Sequence, residues 1–441
     1  MARNLFVAVV LLLNGVSAAK TVDQQPLVET RGNVFYSTQY LLARTPRITN
    51  QQNIERLIFR ILDMYNNAGF PFCRIIPSVV DDDNGPARII LTVDEGPRVI
   101  IDDLLFRTTG RTDRRAAKRL ANFKRGLYFS RKDTEMAKKR LLKTKAFEAI
   151  DESILQRDGR QYLMLAAREK ESDFLTLSGS FSGTNTDNMN FGASFSSFNV
   201  LGTLRKLDFE YEYQRLFLIK FREPVLIAPA QIDADFSILT YDSTRLTNGR
   251  LEFAAPVGAY FSISLLSGIE LVNYYRNDTV SRQSSDNLLG VGLGYDYARP
   301  DWSTLQTIKL DYLFRDADRL RIAYDGEFTL WKFVLRPHYH RVQTDILEFF
   351  DYLRIGGAKD LRGYLEDEFV TSRALWCNFE YHRLFVFPLF DIARIGGEVF
   401  FSYGFGISAK SRLADATLVL AWPKGGTWSD GKIHLTFAKG F

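Results

Sequence analysis

From about residue 172 to the C-terminus, hydrophobicity alternates at every second position, and the polar partners in these segments are charged rather than merely hydrophilic. In LRKLDFEYEY, Leu207, Phe209, Tyr211 and Tyr213 fall on one face of a strand, with Asp208, Glu210 and Glu212 on the other. RLRIAYDGEFTL repeats the pattern, with Leu320, Ile322, Tyr324 and Phe328 opposite Arg321, Asp325 and Glu327. A soluble sandwich also alternates, but it pairs acids with rings less often. Charges facing a lumen and rings facing lipid fit a transmembrane β-barrel, whose strands need about 9–11 residues. About sixteen such segments lie between Phe174 and Phe441, an even number that lets the last strand close on the first. Closure removes the unpaired edges that a bilayer forbids. Aromatic residues make up 14% of the chain, yet it also carries 57 basic and 52 acidic side chains, which is what a two-faced wall requires.

The N-terminal third reads differently. MARNLFVAVVLLLNGVSAAK has one basic residue, an apolar run from Leu5 to Leu13 and small residues before Lys20, the pattern of a secretory signal peptide over residues 1–19. Its apolar core is too short to span about 30 Å of hydrocarbon as a helix. No later segment approaches twenty uninterrupted apolar residues. Cys73 and Cys377 stand far apart, so a disulfide framework is not expected. A net charge of +5 gives no argument for nucleic acid.

Between these regions one grammar occurs twice. In NIERLIFRILDMYNNAGF, Ile54, Leu57, Ile58, Ile61, Leu62 and Tyr65 recur at helical spacing; RIIPSVV, the turn DDDNGP and ARIILTVDEGP then read as a hairpin. VIIDDLLF, the helices RRAAKRLANF and KDTEMAKKRLLKTKAF, and the strands AIDESIL and QYLMLAAREK form the second copy. A strand, two helices and two strands in about 75 residues, twice over, predict two α+β domains at 20–98 and 99–171, with the barrel over 172–441. The opening strand of the first copy falls within Leu27–Tyr36. The second copy is strongly basic, and Arg114, Arg115, Lys118, Arg119, Lys138 and Lys139 suggest either a solvated surface or a face toward anionic lipid.

The two copies resemble POTRA domains, through YNNAGFPFCRII and the DEGPRV junction. FNVLGTLRKLDFEYEYQRLFLIKFREPVLI and LWCNFEYHRLFVFPLF resemble barrel segments of the BamA, TamA and TpsB superfamily. The ending IHLTFAKGF, with Ile433, Leu435, Phe437 and Phe441 on one parity, is similar to the C-terminal signal of outer-membrane barrels, although Lys439 interrupts it.

LRGY, in a long loop at about 344–370, is similar to the Arg-Gly-aromatic tip of the loop that folds back into the barrel in that superfamily. The resemblance implies that Arg362 docks on inward residues of the following strands, with Gly363 allowing the turn, Tyr364 packing at the wall, and Gly356 and Gly357 as the hinge. Alternation places Glu380, Phe400 and Ser402 inward, and the resemblance implies Glu380 and Phe400 as the acidic and aromatic partners of the arginine. Serine at 402 departs from the family's aspartate, and Glu398 is the expected source of the missing charge.

The fold class expected is therefore two POTRA-like domains followed by an all-β barrel of about sixteen antiparallel strands. The location implied is the bacterial outer membrane with the N-terminal domains in the periplasm. The function implied is assembly or insertion of outer-membrane proteins, with unfolded outer-membrane or secreted proteins, outer-membrane lipid, and accessory lipoproteins or periplasmic chaperones as partners. In that mechanism the first and last strands form a weak lateral seam. The alternatives are a TpsB-like secretion pore and, third, a passive channel. Such a pore usually begins with a plug helix that this N-terminus lacks, which favours assembly.

No enzyme or cofactor is expected. GSFSG has Phe181 where a nucleophile elbow needs serine, and DDDNG lacks the spacing of a calcium loop. His338 and His340 share an inward face, and lumen polarity accounts for them better than a metal does.

Overall fold

The computed structural model describes residues 27–43, 51–80, 88–182, 185–241, 243–276, 279–299, 301–314, 318–411 and 414–441. The expected signal segment and the turn DDDNG lie outside these residues.

The first repeat is β1 (Leu27–Arg31), α1 (Thr38–Leu42), α2 (Gln51–Asn67), β2 (Arg74–Val80) and β3 (Arg88–Asp94), with sheet order β1-β3-β2. Strand β1 runs parallel to β3, and β2 antiparallel. The helical stripe read from the sequence is the buried face: Ile54, Leu57, Ile58, Ile61 and Tyr65 pack on Ile75, Leu91 and Val93. Each such side chain contributes about 1.5–3 kcal/mol by leaving water. Glu95 fastens the chain before α1, accepting from the backbone N–H groups of Val34 and Phe35 at 2.7 Å and from the Tyr65 hydroxyl at 2.8 Å.

The second repeat comprises β4 (Ile100–Ile101), β5 (Asp103–Thr108), α3 (Arg114–Ala121), β6 (Leu127–Tyr128), α4 (Arg131–Lys143), β7 (Phe147–Arg157) and β8 (Arg160–Glu169). Strands β5, β8 and β7 form its sheet, in that order. The described chain divides into two compact units. One is drawn from residues 1–107, 123–139 and 150–166; the other, from 108–122, 140–149 and 167–441, contains the barrel. The segment carrying α3 thus belongs with the barrel.

The barrel is closed and has sixteen antiparallel strands. They are β9 (Asp173–Ser182), β10 (Asn185–Ser197), β11 (Lys206–Glu212), β12 (Leu216–Glu223), β13 (Gln231–Tyr241), β14 (Thr244–Val257), β15 (Phe261–Arg276) and β16 (Thr279–Ala298). After them come β17 (Trp302–Phe314), β18 (Arg319–Leu330), β19 (Phe333–Gln343), β22 (Arg373–Tyr381), β23 (Val386–Ile395), β24 (Glu398–Lys410), β25 (Asp415–Pro423) and β26 (Lys432–Gly440). Two short strands, β20 (Leu353–Ile355) and β21 (Phe369–Thr371), form a separate hairpin inside the β19–β22 connection.

Alternation sets the faces. Leu289, Val291 and Leu293 of β16 are exposed to the outside, whereas Gly290, Gly292 and Gly294 of the intervening parity would each place an added Cβ within 2.4–2.5 Å of Asp311, Ser264 or Ser262. The seam between the last strand and the first is fully zipped, from Lys432 opposite Ser182 to Gly440 opposite Phe174. Those nine residue pairs exceed the seven that join β25 to β26. The weak seam expected from the sequence is therefore not what the pairing shows. Phe441 continues the closure, its N–H donating to the Asp173 carbonyl at 3.0 Å.

Candidate functional site

The β19–β22 connection turns into the barrel and fastens to its inner wall. Gly356 and Gly357 both have positive φ, 137° and 83°, where a side chain is strained. A Cβ on Gly356 would lie 2.2 Å from the Leu365 carbonyl oxygen, and one on Gly357 would lie 3.0 Å from Glu366 Cα. This pair lets the outgoing and returning arms of the loop touch.

At the tip, Leu361, Arg362 and Tyr364 are buried against Trp376, Ala374, Ala393 and Ile395. Arg362 is 7% exposed and Asp391 of β23 is 0% exposed. Asp391 Oδ2 accepts from the Arg362 backbone N–H at 3.0 Å and from Nε at 2.9 Å, while Oδ1 accepts from Nη2 at 2.5 Å. Arg362 Nη1 donates to Glu380 Oε1 of β22 at 2.5 Å. This is the planar bidentate geometry that guanidinium provides and ammonium does not. Asn378 Nδ2 donates both to Asp391 Oδ1 at 2.9 Å and to the Asp360 carbonyl at 2.7 Å.

The other neighbouring strands hold the same four residues. Ser402 Oγ of β24 lies 3.5 Å from Asp391 Oδ2. A Cβ on Gly363 would fall 2.5 Å from Ser402 Cβ and 2.6 Å from the Trp422 carbonyl carbon, so only glycine fits against β24 and β25. His434 Nε2 of β26 donates to the Arg362 carbonyl at 2.8 Å, and the Tyr364 hydroxyl to the Phe401 carbonyl at 3.2 Å.

Two sequence expectations need correction. The second carboxylate on Arg362 is Asp391, not Glu398. Glu398 is exposed at the β23–β24 turn, opposite Ile395, two pleat repeats (about 14 Å) along the strand from Ser402, the residue that pairs with Asp391. Phe400 does not stack on Arg362 either: it meets Phe369 at 4.5 Å and Tyr364 at 6.2 Å between ring centroids. Asp391 was missed although the alternation of VFPLFDIARI marks it: Phe387, Leu389, Asp391, Ala393 and Ile395 face inward, and Asp391 is the one acid among them.

Further anchors tie the loop to other parts of the wall. Arg215, in the β11–β12 turn, donates to Glu366 at 3.0 Å and to Asp367 at 3.0 and 2.8 Å. Lys359 reaches Glu210 at 2.6 Å and Glu212 at 2.9 Å. Asp351 takes a bond from Arg319 at 2.9 Å, with Arg319 also on Asp286 at 2.7 Å, and Glu348 accepts from Tyr274 and Arg282, each at 2.9 Å. The loop therefore spans the lumen, attached to β22–β26 and to β11–β18.

Of the remaining sequence candidates, Ile433 and Phe437 are exposed on the outer face, Leu435 is half-buried and Phe441 is exposed at the chain end. His338 and His340 share Asp325 Oδ1 at 2.7 and 3.0 Å. Among the described residues no group of three or more His, Cys, Asp or Glu side chains is arranged to hold a metal ion. The six basic residues divide between the two units. Arg114, Arg115, Lys118 and Arg119 lie on α3 in the barrel unit; Lys138 and Lys139 lie on α4 in the other, where Lys138 is already paired with Glu135 and Glu152.

No protein-family model matches the chain, and no curated protein is similar to it in sequence. Solved structures are similar in architecture. BamA from Haemophilus ducreyi lacking POTRA domains 1–3 is 12% identical, with 96% of this chain and 99% of that one covered and a TM-score of 0.52. CdiB from Acinetobacter baumannii is 12% identical, with 96% and 91% covered and a TM-score of 0.61; CdiB from Escherichia coli gives 12%, 96%, 91% and 0.58. The fold is that of the BamA and CdiB barrels. Coverage of this extent includes the small α+β sheets as well as the barrel, so POTRA-like sheets followed by sixteen strands is the architecture throughout.

Proposed function

We propose that the chain is an outer-membrane conduit for polypeptides, with its two POTRA-like domains in the periplasm and its barrel in the bilayer, and that it performs no covalent chemistry. No helix among the described residues is long and apolar enough to cross a membrane, and this says nothing of the barrel. Support for the bilayer comes from the outer face, where Leu251, Leu265, Leu289, Leu293 and Leu310 are exposed in a closed cylinder. In water such a surface would aggregate; in lipid it is at its lowest free energy. Unfolded outer-membrane or secreted proteins are the substrates this reading implies, with periplasmic chaperones or lipoproteins as helpers.

The observation that carries the proposal is the lumen-crossing loop. A passive diffusion channel needs an open polar lumen, and here the lumen is crossed by a segment tied to both sides through buried ion pairs. A gate that moves for a specific cargo fits this better. Between assembly and secretion, the zipped β26–β9 seam favours passage through the lumen over sideways release into the bilayer. The chain as a whole also matches the two CdiB structures with a higher TM-score than BamA. We therefore reverse the preference drawn from the sequence and place a secretion pore ahead of an insertion factor.

Deletion in the native host tests the proposal. Loss of one exported protein, with that protein retained in the periplasm, supports secretion. General loss of outer-membrane barrel proteins would restore the insertion reading. Lowered small-solute permeability alone would sink both.

A further inference from the structure

Helix α3 carries RRAAKRLA, and at 100° per residue its Arg114, Arg115, Lys118 and Arg119 occupy an arc of about 140°. Ala117, Leu120 and Ala121 fall on the other side and are buried. Arg114, Arg115 and Arg119 are exposed, and among the described residues no acidic side chain pairs with any of them. Arg111, Arg168, Arg205, Arg215 and Arg222 of the same unit, by contrast, have carboxylate partners. Unpaired charge in one place calls for a reason.

The helix is bolted to the rim of the barrel, all within one unit. Asp113 caps it, accepting from the Ala116 N–H at 2.8 Å, and the Asp113 N–H donates to the Gly202 carbonyl in the β10–β11 turn at 2.8 Å. Asn199 Nδ2 of that turn donates to Thr112 Oγ1 at 2.9 Å. A Cβ on Gly202 would lie 2.2 Å from the Arg111 carbonyl oxygen, so the contact is too close for a side chain. Arg111 itself reaches Ser172 at 3.0 Å and Asp173 at 2.5 Å, at the start of β9.

That turn is also where the apolar wall ends. Leu201 at its tip is 89% exposed, Leu226 of the next turn at the same end is exposed, and Phe221, opposite Leu207 at the start of β11, shows its ring outward. An apolar rim beside a cationic helix is the arrangement of a protein seated at a membrane interface.

We propose that the arginine face of α3 binds the anionic phospholipid head groups of the leaflet at this rim, holding the segment 108–122 against the membrane. This rests on the reading that the barrel spans a bilayer. Charge complementarity and continuity with the lipid-facing wall both favour head groups over an acidic polypeptide.

The test uses the full chain in nanodiscs of phosphatidylcholine, with and without one quarter phosphatidylglycerol, and reads amide hydrogen exchange over 114–121. With three cations near a charged surface, exchange should slow by up to about a hundred-fold in the anionic discs. The difference should vanish in about 1 M salt, where the screening length falls to about 3 Å. It should also vanish in the Arg114→Gln/Arg115→Gln/Arg119→Gln variant. Equal exchange in both discs overturns the proposal. So does slowing in neutral discs on addition of an acidic unfolded peptide without any effect of anionic lipid. A chain that enters no disc and shows no heat-modifiable band refutes the membrane reading itself, a separate outcome.

Discussion

The two carboxylates on Arg362 are unequal, and their removal should show it. Asp391 is fully buried and takes three of the four donor contacts, including the Arg362 backbone N–H. Without it, Arg362 keeps one bond to Glu380 and a buried N–H is orphaned. Breaking a buried pair from one side costs about 3–5 kcal/mol. Glu380 also serves Arg336 at 3.1 Å and His382 at 2.8 Å, and Arg336 has Glu327 at 3.0 Å as a second partner. Its loss removes one charge-assisted bond from Arg362, about 1.5–3 kcal/mol. If docking of the loop is an equilibrium, Asp391→Ala raises the undocked population by about two to nearly four orders of magnitude, and Glu380→Ala by about ten- to a hundred-fold. Protease cleavage within 344–372 of the folded barrel, under conditions where opening is fast relative to cutting, reads that population. The barrel should stay heat-modifiable in both variants, because its ladder does not depend on the loop. Equal cleavage in the two variants, or faster cleavage in Glu380→Ala, would falsify the assignment of Asp391 as the principal partner.

Gly363→Ala should match Asp391→Ala in the same cleavage assay, since its Cβ meets Trp422 backbone that cannot shift without breaking β25. Arg215→Ala should free the opposite side of the loop and give larger, noisier single-channel conductance in planar bilayers. Arg215→Glu with Glu366→Arg and Asp367→Arg should bring conductance back toward the parent level, and failure to do so would remove Arg215 as an anchor. Burial pushes the Glu169 carboxyl up, but bonds from Thr108, Arg111 and Thr112 outweigh it and hold the group below its usual range. A depressed folded value contributes stability above the unfolded value of about 4.3 and loses it as pH falls through the folded value. Exchange at 108–113, normalised to intrinsic rates, should therefore rise as pH falls from about 5 to about 3, and should be flat in Glu169→Gln.

The barrel was legible because lipid and lumen impose a period of two that no soluble fold writes with so many acids and rings. The helical face of α2 was equally plain, every residue of it landing in one core. The site was legible only in part. Arg362, Gly363, Tyr364 and Glu380 could be brought together because the family resemblance folds the loop inward and the strand following it has a fixed parity. Asp391 lay on the next strand in a stretch that reads as a hydrophobic landmark, and its inward parity was there to be counted. Arg215 could not have been found that way. It stands 152 positions from Asp367, and nothing in a local pattern says which turn a folded-in loop will reach. Glu398 failed for a geometric reason: proximity in sequence to Ser402 is distance along an extended strand. Lys138 has Glu135 and Glu152 as partners, and a charge run does not show which cations are already paired.

Loop and seam together constrain how cargo could pass. Opening the β26–β9 seam inside a bilayer exposes a ladder of nine residue pairs, roughly nine backbone hydrogen bonds, to a medium that cannot replace them. Each unsatisfied group there costs several kcal/mol. Releasing the loop breaks ion pairs inside a polar lumen, where water and the freed partners can solvate what is exposed, so each break costs far less. The two motions also share a strand, because His434 of β26 donates to the Arg362 carbonyl while its neighbours Ile433 and Leu435 pair across the seam. Withdrawing the loop removes that link and leaves the nine pairs intact, whereas parting the seam first would strain the link and the ladder at once. The cheaper order is loop before seam, and once the loop has moved, the way through the lumen is open with the seam still closed.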